Sequence, residues 1–167
     1  GMGLGIMVAG NLVIGLILSL HCLTIPKVTA GNIPPFKITQ PNGKFFRAEN
    51  IPFEKPILIV YFSPDCDDCL HFLNNFFSNI RAFDKAYVVM ISYLSLEDVA
   101  RIHAKYKIGQ HGNITIGVEG TPYFVRNYYN ITALPFVALY DKNGKFISSY
   151  TKDIPLSNLI NRIKKLK

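Results

Sequence analysis

The run P-I-L-I-V-Y-F-S-P-D-C-D-D-C-L-H-F, residues 56–72, decides how the rest of the chain reads. Residues 56–62 are apolar without alternation, the pattern of a strand covered on both faces. Beyond Cys66 the apolar residues Leu70, Leu73, Phe76, Phe77 and Ile80 return at helical spacing and define the expected buried face of a helix. At the junction stands Cys66-Asp67-Asp68-Cys69. Two thiols spaced C-x-x-C on the first turn of a helix can close a small disulfide and reopen it. The helix end favours the thiolate that must attack. The pair therefore reads as a thiol–disulfide exchange site, with Cys66 as the attacking thiol and Cys69, one turn in, as the resolving one.

Working outward, residues 86–93 form a second buried strand, and Ser95-x-x-Asp98 resembles a capping box that opens a helix through Val99, Ile102 and Tyr106. A short strand is expected at 114–118. Thr121-Pro122 is expected to start a helix running to about Tyr129, proline being suited to the first helical turn. Residues 135–140 read as a strand, Asn143-Gly144 as a hairpin turn and 145–150 as the return strand. Residues 156–166 form an amphipathic helix with Leu159, Ile160, Ile163 and Leu166 on its apolar face. Upstream, 36–39 and 44–47 flank Asn42-Gly43, a second hairpin. Strands alternating with helices, closed by an antiparallel hairpin, indicate an α/β sheet covered on both faces.

The chain has 167 residues and a net charge of +7, spread along its length except for Arg162, Lys164, Lys165 and Lys167. No nucleic-acid-binding motif accompanies this basicity, so no nucleic-acid partner is expected. Three cysteines make no disulfide framework. Residues 1–30 differ from the rest. No charged side chain occurs between Met2 and Pro26, and 4–25 are overwhelmingly apolar, which suits a signal-peptide core or a membrane anchor. Val28-Thr29-Ala30 supplies a small-x-small cleavage pattern. Cys22 reads as an apolar member of this segment, because His21 replaces the small residue that precedes a lipidated cysteine. Residues 31–167 are then one domain, in a periplasmic or other extracytoplasmic compartment, free or anchored to the membrane through 4–25.

The order hairpin, strand, C-x-x-C helix, strand, helix, strand, helix, proline-led strand, hairpin and helix resembles the thioredoxin-like fold, and most of all the TlpA/ResA group of exported thiol–disulfide oxidoreductases. The resemblance covers residues 32–167. It rests on the junction at 56–70, on the βα insertion at 114–129, and on V-R-N-Y-Y-N-I-T-A-L-P-F-V-A-L-Y-D-K-N-G-K-F, residues 125–146. It implies a central mixed sheet flanked by helices, with Pro135 as the cis-proline that holds the Leu134 backbone beside Cys66 for a substrate strand to pair with. It further implies disulfides of exported proteins as substrates, a membrane thiol donor for re-reduction, and no cofactor or metal. Three positions depart from the family. Asp65 replaces the usual Trp before the first cysteine, Val60 replaces thioredoxin's buried Asp, and Phe136 follows the proline where Thr is common.

Asp65, Asp67 and Asp68 border the thiols and are expected to contact substrate. Their charges oppose a negative sulfur, each by on the order of 1 kcal/mol near a protein surface and less in salt. The dithiol is then less stable relative to the disulfide, which argues for a reductant. Three other readings stay open. A copper carrier would recruit Cys66, Asp68, Cys69 and His71, with His103 or His111. A peroxidase would use Ser63-x-x-Cys66, although the matching proline position is Ile59. A binding module without catalysis would present Tyr123, Phe124, Tyr128 and Tyr129, which are otherwise core.

Overall fold

The computed structural model describes residues 1–3, 32–93 and 95–166. The apolar segment 4–25, its Cys22 and the expected boundary near residue 31 lie outside the described residues. Among the described residues no helix is long and apolar enough to cross a membrane. In chain order the elements are β1 (Lys37–Thr39), β2 (Phe45–Arg47), β3 (Ile57–Phe62), α1 (Asp67–Ser78), β4 (Tyr87–Ser92), α2 (Leu96–Lys105), β5 (Ile114–Val118), α3 (Phe124–Tyr128), β6 (Phe136–Tyr140), β7 (Phe146–Thr151) and α4 (Leu156–Lys165).

The seven strands form one mixed sheet in the order β2-β1-β5-β4-β3-β6-β7. β3, β4 and β5 run parallel, while β1 and β6 run antiparallel to their neighbours. The whole of β3 is inaccessible to solvent. Its Leu58, Val60 and Phe62 pack with α1, α2 and α4, and its Ile57, Ile59 and Tyr61 pack with Phe36, Val125 and Ile131 on the other face. Strand alternation puts successive side chains on opposite faces, so covering both faces demands the unbroken apolar run.

On α1 the buried residues are Cys69, Phe72, Leu73 and Phe76, whereas Leu70, Phe77 and Ile80 are only half-buried. The buried stripe thus runs i, i+3, i+4, i+7 from Cys69, rotated from the expected face because the second thiol itself is core. Phe77 turns toward α2 and stacks on Tyr106 at 4.4 Å. Ile80 lies past the end of the helix, in a 3-10 turn over Ile80–Phe83. Each large apolar side chain fully buried on this face stabilises the fold by about 1.5–3 kcal/mol.

The segment after β5 also differs from expectation. The Thr121–Pro122 peptide is cis, and the helix starts at Phe124 instead of at the proline. Its leading N–H groups are satisfied by a side chain from before the turn: the Glu119 carboxylate accepts from Val125 N–H at 2.7 Å and Arg126 N–H at 3.4 Å. Both Asn-Gly turns occur as read, with φ of 80° at Gly43 and 78° at Gly144, a region glycine enters without a Cβ clash. β1 joins β5 through the pair Thr39↔Val118. Beside it a Cβ on Gly117 would lie 2.7 Å from the Thr39 carbonyl oxygen, so only glycine permits this approach.

Candidate active site

β3 ends at Phe62, and residues 63–65 turn the chain into α1. The Cys66 N–H donates to the Ser63 carbonyl at 3.2 Å, and the Asp65 N–H donates to Ser63 Oγ at 3.2 Å. Cys66 is the N-cap of α1, in extended conformation, and its sulfur accepts the Cys69 N–H at 3.2 Å. A helix leaves its first N–H groups without partners, so a residue at the cap is offered donors by geometry alone. Here the acceptor is the sulfur itself.

The two thiols are free and differ in environment. Cys66 is half-buried, while Cys69 is wholly inaccessible and accepts the Ser63 N–H at 3.5 Å. Burial pushes the Cys69 thiol well above the ordinary thiol range. The neighbouring Cys66 and the Asp68 charge push the same way, and the Ser63 N–H opposes them. Asp65, Asp67 and Asp68 are all exposed, the last two in the first turn of α1, where their charge suits the helix dipole.

The proline-led strand arrives at the same place. The Leu134–Pro135 peptide is cis. The pairing Tyr61↔Phe136 sets Pro135 at the carboxyl end of β3, where the cysteine turn departs. Leu134 and Cys66 pack against one core cluster, which contains Cys69. Pro135 is buried, and its carbonyl accepts the Lys152 N–H at 2.7 Å. Lys152 to Leu156 form one wall of a cleft of about 310 Å³, whose other wall is Asp68, His71, Phe72 and Asn75 of α1.

Among the described residues, the histidines do not join the thiols into a ligand set. His71 is exposed and pairs with Asn75 at 3.2 Å. His103 and His111 line a different cleft, beside Gln40 and Thr115. Among the described residues no three His, Cys, Asp or Glu side chains gather into a group able to hold a metal ion. Of the aromatic group, Tyr123 and Phe124 are exposed, while Tyr128 and Tyr129 are half-buried.

No family model matches the sequence, and no curated protein does. Solved structures match with a probability of 1.00. A secreted Mycobacterium tuberculosis disulfide oxidoreductase homologous to E. coli DsbE superposes with a TM-score of 0.65 at 18% identity, over 79% of this chain and 96% of that one. The fold is thioredoxin-like. A putative protein disulfide isomerase from Bacteroides thetaiotaomicron gives a TM-score of 0.66 at 15% identity, covering 82% of this chain and 88% of that one. A peroxiredoxin-like protein from Aquifex aeolicus also gives 0.66, at 16% identity, over 85% and 90%. Proteins that share a thioredoxin-like fold therefore differ in chemistry, and the site must decide between them.

Within this thioredoxin-like fold, Val60 is fully buried in the cluster that holds Cys69, so the floor beneath the second thiol is apolar. Sequence reasoning missed Glu119. It is buried to 3% exposure and accepts the Tyr61 hydroxyl at 2.5 Å as well as the two α3 N–H groups. Burial first, and then the Glu119 hydrogen bond and charge, raise the Tyr61 hydroxyl far above the usual tyrosine range. A lone acid closing an apolar strand, as in I-T-I-G-V-E, was the signal for it. Ser63 was read only as part of a peroxidase pattern. Its backbone and side-chain contacts place it inside the thiol site.

Proposed function

We propose that this chain is a thiol–disulfide oxidoreductase that reduces disulfides of exported proteins. One observation carries the reading. A half-buried thiol caps α1, and a wholly buried thiol sits one turn behind it. In the reaction the Cys66 thiolate attacks a substrate disulfide. A bond forms between Cys66 and one substrate sulfur, and the other leaves as a thiolate. Cys69 then gives its proton to that thiolate and attacks Cys66. The Cys66–Cys69 disulfide forms and the second substrate thiol is released. A dithiol donor must return the pair to its reduced state, and in an oxidising compartment a membrane-borne donor fills that role. The apolar character of 4–25 suits a protein exported to, or held at, a membrane.

The backbone of the half-buried Leu134 and the carboxylates of Asp65, Asp67 and Asp68 are the proposed substrate contacts. The carboxylates favour the reducing direction. Trapping tests the reading: Cys69→Ala should accumulate mixed disulfides through Cys66, and the wild type should reduce insulin. If neither occurs, the oxidoreductase reading fails. Copper bound stoichiometrically by the reduced protein and lost in Cys66→Ser would replace it with a metal carrier.

A further inference from the structure

Ser63 hydrogen-bonds to both cysteines and to Asp65. It is the first residue beyond β3 and is only 2% exposed. Its N–H donates to the Cys69 sulfur at 3.5 Å, its carbonyl accepts the Cys66 N–H at 3.2 Å, and its hydroxyl oxygen accepts the Asp65 N–H at 3.2 Å. The last bond links residues two apart, a serine turn that sets the backbone of 63–65. Val60, fully buried in the same cluster as Cys69, offers the sulfur no hydrogen bond. The donor placed on the buried sulfur is the Ser63 N–H, on the same residue whose hydroxyl closes the turn.

We propose that the Ser63 side chain is a positioning residue for the second half of the exchange, holding the 63–65 turn so that its own N–H meets the charge developing on Cys69. The proposal rests on the oxidoreductase reading. In the step concerned, Cys69 passes its proton to the thiolate released in the first half of the exchange, and its sulfur bonds to Cys66. The Cys66–substrate bond breaks, and the substrate sulfur leaves with the electron pair. A preformed donor at the attacking sulfur stabilises the thiolate it passes through without reorganisation. Cys66, on the other side of the turn, keeps its own cap donor from Cys69 and depends less on the hydroxyl.

The reduced protein mixed with 5,5′-dithiobis(2-nitrobenzoate) tests this, because Cys66 then carries a thionitrobenzoate whose release reports the attack of Cys69. S63A keeps the backbone donor but loses the bond that closes the turn, and should release it about tenfold more slowly, the effect of misaligning one hydrogen bond to a charged group, with its rate–pH profile moved to higher pH. S63T, which keeps the hydroxyl, should match the wild type. If S63A does not fold, S63V and S63T form an isosteric pair with and without the hydroxyl, and only S63V should be slow. Release by S63A at the wild-type rate and profile, or equal rates for S63T and S63V, would overturn the role of Ser63 alone. A wild type whose Cys69 never displaces the thionitrobenzoate would overturn both the role and the reading beneath it.

Discussion

The Cys69 N–H donates to the Cys66 sulfur across 3.2 Å, so the sulfur proposed to attack caps the backbone of the residue proposed to resolve. The donor is backbone and survives any substitution at position 69 except proline. Attack and resolution can therefore be separated by mutation: Cys69→Ala keeps the hydrogen bond that supports attack and removes only the thiol that resolves.

Exposure orders the reactivity of the two thiols. Native reduced protein should take up iodoacetamide at Cys66 near neutral pH, whereas Cys69, buried and held protonated, should react only after unfolding. Peptide mass mapping after timed quenching checks this. Equal labelling of both thiols in the native state would contradict the buried position of Cys69.

Charge removal at the rim should change the redox poise. Asp65→Asn, Asp67→Asn and Asp68→Asn combined take three exposed carboxylates from beside the thiols. The thiolate, and with it the reduced form, gains stability, so the reduction potential should rise. Screening limits the shift to on the order of 30 mV, equivalent to about 1.4 kcal/mol. Equilibration against glutathione at low and high salt measures it, and the shift should shrink in high salt.

Glu119 should matter to stability more than to chemistry. Glu119→Ala leaves the buried Tyr61 hydroxyl and the Val125 N–H without their acceptor, at a cost of about 2–4 kcal/mol in urea unfolding. Glu119→Gln keeps an acceptor oxygen and should lose less. Both variants, where folded, should reduce insulin at close to the wild-type rate.

Gly117→Val should loosen the β1–β2 hairpin. Any Cβ there meets the Thr39 carbonyl at 2.7 Å, and overpacking of this kind costs about 1–3 kcal/mol. Hydrogen exchange should rise at Ile38 and Thr39, while β3 stays protected.

Alkaline pH should unfold the protein through its buried tyrosines. Burial, joined by the nearby Tyr128, pushes the Tyr140 hydroxyl up to about 12, while its bond with Tyr129 pulls the other way. Burial raises Tyr129, hydrogen-bonded to Tyr140 at 2.5 Å, still further. A pKa raised in the folded state contributes stability that is fully present below the unfolded value, near 10, and is lost as pH rises through the folded value. Melting temperature should hold to about pH 10 and then fall. Tyr140→Phe should soften that decline.

The sequence was most legible where one physical demand acted alone. Burial on both faces left its mark on β3 as residues with no polar interruption, and the two Asn-Gly turns required positive φ. It was least legible where two demands met in one residue. Cys69, the proposed resolving thiol, is also core, and reading it only as a reagent rotated the expected face of α1 toward Leu70 and Phe77. Thr121-Pro122 carries the pattern of a helix start, yet the helix is capped from Glu119, across the turn, and begins at Phe124. A cap supplied by a residue ahead of the turn leaves no local signature. The thiol site itself was readable as spacing, but its inner hydrogen bonds, above all those of Ser63, depend on how the loop folds back on the helix.

The apolar floor at Val60 constrains where the proton of Cys69 can go. Val60 can accept no proton, so in the mixed disulfide the thiolate that the substrate itself has just released serves as a base, alongside the exposed Asp68 whose charge acts on Cys69. The substrate would then complete the chemistry performed on it. Turnover across a series of disulfides should follow the basicity of the thiol they shed, and this chain would choose among substrates by their acid–base strength as well as by their shape.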